Sequence, residues 1–303
     1  MLADPPVVAD PARPVEDVAE AEDTGARCRA CAQPLAGPYC HECGERRPRP
    51  EDESLAAFLR DQFHEVTSAD GRLWRSVRAL FVPGKLTEEY FAGRRGLYVR
   101  PVRVFLVLNV VFFLWVGWFG GGGFVGDADI YRSNWRFAAL MAEAAAQSGV
   151  ADNVYDVAFS ARARALAPTL IAVLIPLFAL VLALVLAPAR PSFVRHVVFA
   201  THYVAVLMAS TVLASTALAI PLLVIRALTG AVAYNLDDSV LLPVLLVLWS
   251  AYLVVGVRRA YGVPWWGAAV SGLAVAMIGT LVTMEAYRTT LFFVTLRTLD
   301  VPA

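Results

Sequence analysis

Several residue types and motifs are rare or absent in this chain of 303 amino acids, and their absence excludes some classes of protein and some kinds of site. Cysteine is absent outside positions 28–43, and lysine occurs once, at Lys85. Residues 1–26 contain no apolar run and no basic start, which argues against a cleaved signal peptide. The segment 121–167 has no Gly-x-Ser-x-Gly motif, so it offers no hydrolase nucleophile of that kind. The four cysteines and the apolar segments remain as the informative features.

The apolar segments predict an integral membrane protein. The hydrophobic content is 58% and the mean hydropathy is +0.58, which is high for a soluble domain. Runs near the ~20 residues that a bilayer requires begin after residue 103. We predict an all-α bundle of about five transmembrane helices, at 102–120, 168–187, 197–225, 240–257 and 264–283. A form with four spans and a surface-lying C-terminal helix is the alternative, because charges follow residue 283.

Two cysteine pairs predict a small zinc ribbon. Cys28 and Cys31 are separated by two residues, as are Cys40 and Cys43, and Gly44 suits the tight turn after the second pair. Four thiolates fill a tetrahedral Zn²⁺ shell, which leaves no position for a substrate. A disulfide pair or a redox-active CxxC is the competing interpretation. We expect zinc in a structural role.

The composition changes along the chain and predicts the domain organisation. We assign 1–26 to a disordered acidic tail, 27–48 to the zinc ribbon and 49–103 to cytosolic or interfacial amphipathic helices. The transmembrane domain then covers 104–303 and includes an extracytoplasmic loop at 121–167.

Two amphipathic helices are predicted within 49–103. The first covers 54–66, and the second follows the turn at Asp70-Gly71 and ends at Pro83-Gly84. Either they lie in the lipid interface or they pack on each other or on the membrane domain. A further short helix is predicted at 135–148.

Positive charges near the ends of the spans predict the orientation. Nine fall on the side of the N-terminus: Lys85, Arg94, Arg95, Arg100, Arg103, Arg190, Arg195, Arg258 and Arg259. The other side has seven, spread over longer segments. This bias predicts a cytosolic N-terminus in a bacterial inner membrane, with the arginines facing anionic headgroups.

Polar residues near the N-terminal side of the spans form a candidate functional cluster. Its members are Asn109, His196, His202, Tyr203, Arg94 and Arg95. The two histidines are six residues apart and point about 120° apart on a helix, so one metal ion does not easily take both. We prefer interhelical hydrogen bonding to catalysis as the role of these histidines. The spans also contain no buried acid–base pair of the kind that is typical of a proton-driven transporter.

Three separated blocks resemble a bacterial family known only as a domain of unknown function. The first block runs from Cys40 to Pro101 and contains Cys40-x-x-Cys43-Gly44, Asp70-Gly71-Arg72, Pro83-Gly84 and Glu89-Tyr90. The second block is Arg195 to His202, and the third is Arg258 to Gly262. The resemblance covers most of 40–275 and implies an inner-membrane protein with a cytosolic zinc ribbon, without an assigned reaction. Relatives often carry leucine where Thr201 stands and histidine near Val204, and these differences weaken a metal role for the third span.

The sequence favours a non-enzymatic role over an enzymatic one. We expect a membrane-anchored adaptor or sensor that presents the zinc ribbon to a cytosolic protein partner. The alternative is an integral-membrane enzyme or transporter that acts on a lipid headgroup or an anionic solute through the polar cluster. Nucleic acid is disfavoured as a partner because no aromatic residues alternate with the basic ones near the ribbon. A homo-oligomer is left open.

Overall fold

A computed structural model describes residues 27–45, 47, 71–119, 126–189, 191–229 and 238–300. The predicted tail at 1–26 and the predicted helix at 54–66 lie outside the described residues. Within those residues the fold is all-helical, with an isolated bridge between Arg27 and Pro34 in place of any strand.

Eleven α-helices follow one another along the described chain. They are α1 (Gly71–Leu80), α2 (Lys85–Phe91), α3 (Pro101–Phe119), α4 (Ala128–Ser133), α5 (Ala138–Ser148), α6 (Asp152–Leu170), α7 (Leu174–Val185), α8 (Phe193–Thr229), α9 (Asp238–Tyr261), α10 (Trp265–Ala274) and α11 (Thr280–Thr298). A 3₁₀ turn at Ile171–Val173 joins α6 to α7, and a π-helical turn at Val275–Gly279 joins α10 to α11. Further 3₁₀ turns occur at Arg95–Leu97 and Ala187–Ala189.

Five of these helical segments are long and apolar enough to cross a bilayer, which confirms the predicted bundle. They are Arg95–Trp118, Asp152–Val185, Phe193–Pro221, Leu242–Tyr261 and Trp265–Thr298. The second and fifth have 34 residues each. At 1.5 Å per residue they are roughly 50 Å long, whereas the hydrocarbon core is only about 30 Å thick. Their ends therefore extend beyond the hydrocarbon core.

The segment 121–167 is more helical than the sequence suggested. Its described part contains α4, α5 and most of α6, and α5 corresponds to the predicted helix at 135–148. Together with the second half of α11, these helices form a unit at one end of the bundle that we call the outer cap (residues 126–166 and 285–298), a name that implies no side of the membrane. Rings of Tyr131, Phe159 and Phe292 meet at its centre, with centroids 5.1–5.9 Å apart.

Ion pairs explain why charged residues interrupt the apolar pattern of the long helices. Arg136 contacts Glu285 at 2.7 Å, and the guanidinium of Arg132 lies 2.7 Å from the carboxylate of Asp156. A third pair joins the α6 helix to the chain just before α4. These charges lower the local hydropathy, which predicts the end of a span. The helices nevertheless continue, because the outer cap supplies oppositely charged side chains.

The hairpin formed by α1 and α2 packs on the transmembrane helices. The Tyr252 hydroxyl of α9 donates to the Leu80 carbonyl at 2.9 Å. Gly84 has φ +73°, and a Cβ there would lie 2.6 Å from the Gly256 carbonyl oxygen. The predicted helix end at Pro83-Gly84 thus lies directly against the α9 backbone.

Small residues also bring α9 and α10 together. A Cβ on Gly272 would lie 2.6 Å from the Cα of Val254, and Ala268 and Ser271 are buried. These small side chains allow the backbones of the two helices to approach closely.

Candidate metal centre

The four cysteines converge at the N-terminal end of the described chain. One ligand atom from each of Cys28, Cys31, Cys40 and Cys43 lies within 4.8 Å of every other. The sulfurs of Cys28 and Cys43 are 3.5 Å apart, as are those of Cys31 and Cys40, so none of these contacts is a disulfide bond. Zinc–sulfur bonds of about 2.3 Å place neighbouring sulfurs of a tetrahedron about 3.8 Å apart. The cluster therefore fits one metal ion.

Each cysteine pair forms the same tight turn. The Ala32 N–H donates to the Cys28 carbonyl at 2.8 Å, and the Gly44 N–H donates to the Cys40 carbonyl at 2.9 Å. Both residues that follow the pairs are left-handed, with φ 62° at Ala32 and φ 71° at Gly44. The sequence predicted the turn at Gly44, whereas the strained alanine went unnoticed because its identity does not suggest a positive φ.

The turns also set the electrostatics of the thiols. The backbone N–H of Cys43, with that of Glu42, lowers the pKa of the Cys40 thiol to about 6. A backbone hydrogen bond from Glu45 favours the Cys43 thiolate, but burial and the neighbouring sulfurs outweigh it and raise the pKa of Cys43 to about 12. Adjacent thiolates repel each other, which opposes ionisation of all four thiols in the absence of a cation. A bound cation would stabilise the thiolates.

Glu45 attaches the cysteine cluster to the membrane domain. Its side chain is buried, and its carboxylate accepts a hydrogen bond of 2.5 Å from the Gly96 N–H, in the 3₁₀ turn before α3. Burial raises the pKa of this carboxyl, and the Arg95 charge opposes that effect. The Glu45 carbonyl meanwhile accepts from the Cys40 N–H at 2.8 Å. Sequence reasoning missed Glu45, because nothing in its local pattern separates it from the other acids nearby.

The two histidines of the predicted polar cluster make separate hydrogen bonds. Nδ1 of His202 lies 3.0 Å from the Thr87 hydroxyl, which links α8 to the hairpin. Nδ1 of His196 lies 3.0 Å from the Tyr261 hydroxyl at the end of α9. Both contacts are interhelical, as the preferred reading of the sequence predicted.

The other span residues of the cluster also have their own partners. Asn109 donates from Nδ2 to the Pro168 carbonyl at 2.9 Å and joins α3 to α6. Tyr203 is buried, and its ring meets the edge of Phe178 with centroids 5.1 Å apart.

The two arginines of the cluster contact α2. Arg94 forms an ion pair with Glu89, and this hydrogen bond raises the pKa of Arg94. The Arg95 guanidinium lies over the Tyr90 ring, 4.5 Å from its centroid. Each of the six predicted residues thus contacts residues outside the set.

The fold and the cluster define a helical membrane protein with four cysteines positioned to hold a metal ion. Residues 70–113 match the family described as "Protein of unknown function (DUF3667)". The matched segment contains α1, α2 and most of α3, and the cysteines lie outside it. No curated protein matches the chain, and no solved structure matches it.

Proposed function

We propose that this protein is a membrane-anchored adaptor or sensor that holds zinc in its four-cysteine cluster and presents the module to a cytosolic protein. The observation that carries the proposal is the closed set of four sulfurs, joined through Glu45 to the start of the first span. A four-thiolate shell has no open coordination position, so a structural role fits it better than catalysis.

Zinc is the metal that best suits this site. Four thiolates in a tetrahedral arrangement favour Zn²⁺ over the harder cations that prefer oxygen ligands. The module is short and has few apolar side chains of its own, so metal binding would supply much of its folding free energy. The partner would recognise a surface whose shape depends on the metal.

Basic residues support a location in a bacterial inner membrane with the N-terminus in the cytosol. The Arg259 side chain pairs with Glu88 of the hairpin, and the Arg195 guanidinium lies 4.7 Å from the centroid of the Phe91 ring. The hairpin and the cysteine module are therefore on the same side as these arginines. The positive-inside rule would assign that side to the cytosol, where arginines without a carboxylate partner would meet anionic headgroups.

An enzyme or transporter that acts on a headgroup or an anionic solute is the second candidate. Its support is weaker because the histidines already form hydrogen bonds within the bundle. Replacement of both His196 and His202 by alanine distinguishes the two functions. Loss of the cellular phenotype at normal abundance and normal thermal stability would favour the enzyme, whereas retention would favour the adaptor.

Metal analysis of the full-length protein tests the proposal directly. We expect one zinc per chain after purification from membranes in detergent, and none in a Cys40→Ser Cys43→Ser variant. His41→Ala is the matched control, because His41 lies between the ligands and should leave the zinc content unchanged. Absence of zinc from the wild type, or a reporter fusion that places residue 27 outside the cytosol, would contradict the proposal.

A further inference from the structure

An open apolar groove runs along the lipid-facing side of α9 and α10. Its volume is about 570 Å³, and its walls include Val247, Ala251 and Val254 of α9 with Trp265 and Leu273 of α10. The one hydroxyl in the wall, that of Ser250, donates to the Leu246 carbonyl at 2.7 Å. The groove therefore presents an apolar surface of a size typical for small-molecule sites.

A positive charge lies at one end of this groove. The Arg258 side chain is exposed, and its guanidinium is 5.2 Å from the centroid of the Trp265 ring. Its neighbour Arg259 is paired with Glu88 at 2.5 Å. Among the described residues no carboxylate pairs with Arg258, so its charge is available to an anion beside the apolar wall.

The length of the groove matches a single leaflet. Leu246 and Arg258 are twelve residues apart on α9, which is roughly 18 Å along the helix. Half of the hydrocarbon core is about 15 Å. A helix from a second copy of the protein would contact α9 along its whole length, whereas one acyl chain occupies only the length of one leaflet. The dimensions and the charge at one end thus favour a lipid as the occupant.

We propose that this groove is a binding site for an anionic phospholipid. One acyl chain lies between α9 and α10, and the phosphate group contacts Arg258 beside the Trp265 ring. This site is independent of the adaptor role, because the groove and the cysteine module use different residues. Tryptophan and arginine at the membrane interface suit contact with a headgroup, and one basic residue near the surface contributes about 1 kcal/mol to anionic lipid binding.

Native mass spectrometry of the detergent-solubilised full-length protein tests this site. Phosphatidylglycerol or phosphatidylcholine with identical acyl chains is added, and the dissociation constant of the first bound lipid is measured. The wild type should bind phosphatidylglycerol about fivefold more tightly than phosphatidylcholine, since ~1 kcal/mol corresponds to that ratio. Arg258→Gln should remove this preference, while Arg259→Gln serves as the matched control and should retain it.

Filling the groove tests the acyl chain separately. Ala251→Phe and Val247→Trp should each weaken binding of both lipids, whereas Leu248→Phe, at an exposed position of α9 that does not line the groove, should not. Thermal unfolding and gel filtration establish that each variant is folded, and the two filling variants substitute for each other if one is not. Equal losses in the Arg258 and Arg259 variants would overturn the proposal, as would unchanged lipid binding in folded filling variants. Dissociation of a dimer by Ala251→Phe with lipid retention intact would assign the groove to a second copy instead.

Discussion

Replacement of Ala32 by glycine should tighten metal binding, because this alanine has a left-handed backbone. Ala32 and Gly44 occupy equivalent positions after the two cysteine pairs, with φ 62° and φ 71°. The same backbone hydrogen bond to the first cysteine of each pair fixes both turns. Only one of the two positions carries the residue that adopts this conformation without strain.

The expected size of the effect follows from two opposing contributions. An L-residue in the left-handed region costs about 1–2 kcal/mol, which glycine would recover. Glycine also increases the entropy of the unfolded chain, which costs about 0.4–1 kcal/mol. The midpoints of these ranges give a net gain of about 0.8 kcal/mol, or a factor of about four in metal affinity, since folding of the module and metal binding are coupled.

Gly44→Ala is the mirror experiment. A Cβ at Gly44 has no atom within 4 Å, so the substitution introduces backbone strain without a clash. Its metal affinity should fall by the same factor by which Ala32→Gly raises it, and the double variant should return close to the wild-type value. Competition between the full-length protein and a chromophoric zinc chelator measures all three affinities at one pH. A weaker or unchanged affinity for Ala32→Gly, with Gly44→Ala behaving as expected, would refute the equivalence of the two turns.

Three further substitutions test the packing, each by thermal unfolding in detergent. Gly84→Ala places a Cβ at a residue with positive φ and against the α9 backbone, so it should destabilise the protein by about 2–4 kcal/mol. A destabilisation below about 1 kcal/mol would show that the hairpin does not approach α9 this closely. His202→Ala leaves the Thr87 hydroxyl buried without this partner and should lower the free energy of unfolding by about 1–3 kcal/mol. The Thr87→Val His202→Ala double variant should lose less stability than the sum of the losses in the two single variants. Strictly additive losses would contradict the hydrogen bond. Arg132→Ala breaks a mostly buried ion pair in the outer cap and should lower the free energy of unfolding by about 1–3 kcal/mol. Arg136→Ala breaks a half-exposed ion pair and should lower it by less than about 1 kcal/mol. A larger loss for Arg136→Ala than for Arg132→Ala would contradict the packing of the cap.

The N-terminal module and the membrane domain are more closely connected than two separate domains joined by a linker. Glu45 is inserted against Gly96, where a Cβ would lie 2.5 Å from its carboxylate oxygen. The same turn leads directly into the first span. A change in the metal site therefore has a direct structural route to the start of α3, which is what a sensor that reports across the membrane interface would need.

The sequence alone was sufficient to predict the five spans and the cysteine cluster. Both are local features, because a span depends on the apolar content of about 20 adjacent residues and a thiolate cage on spacing within each pair. The fifth helix continues beyond the predicted span to Thr298 and includes Glu285, whose partner Arg136 lies 149 positions away. Local composition carries no information about such a partner.

Tertiary structure alone decided how the polar residues are used. His202 is recognisable in the sequence as a buried polar residue, but its bond to Thr87 joins positions 115 residues apart. The docking of Glu45 on Gly96 likewise depends on the packing of separate segments, 51 positions apart. Hydropathy and spacing follow the order of the chain, whereas these contacts depend on which helices become neighbours after folding, and that arrangement exists only in three dimensions.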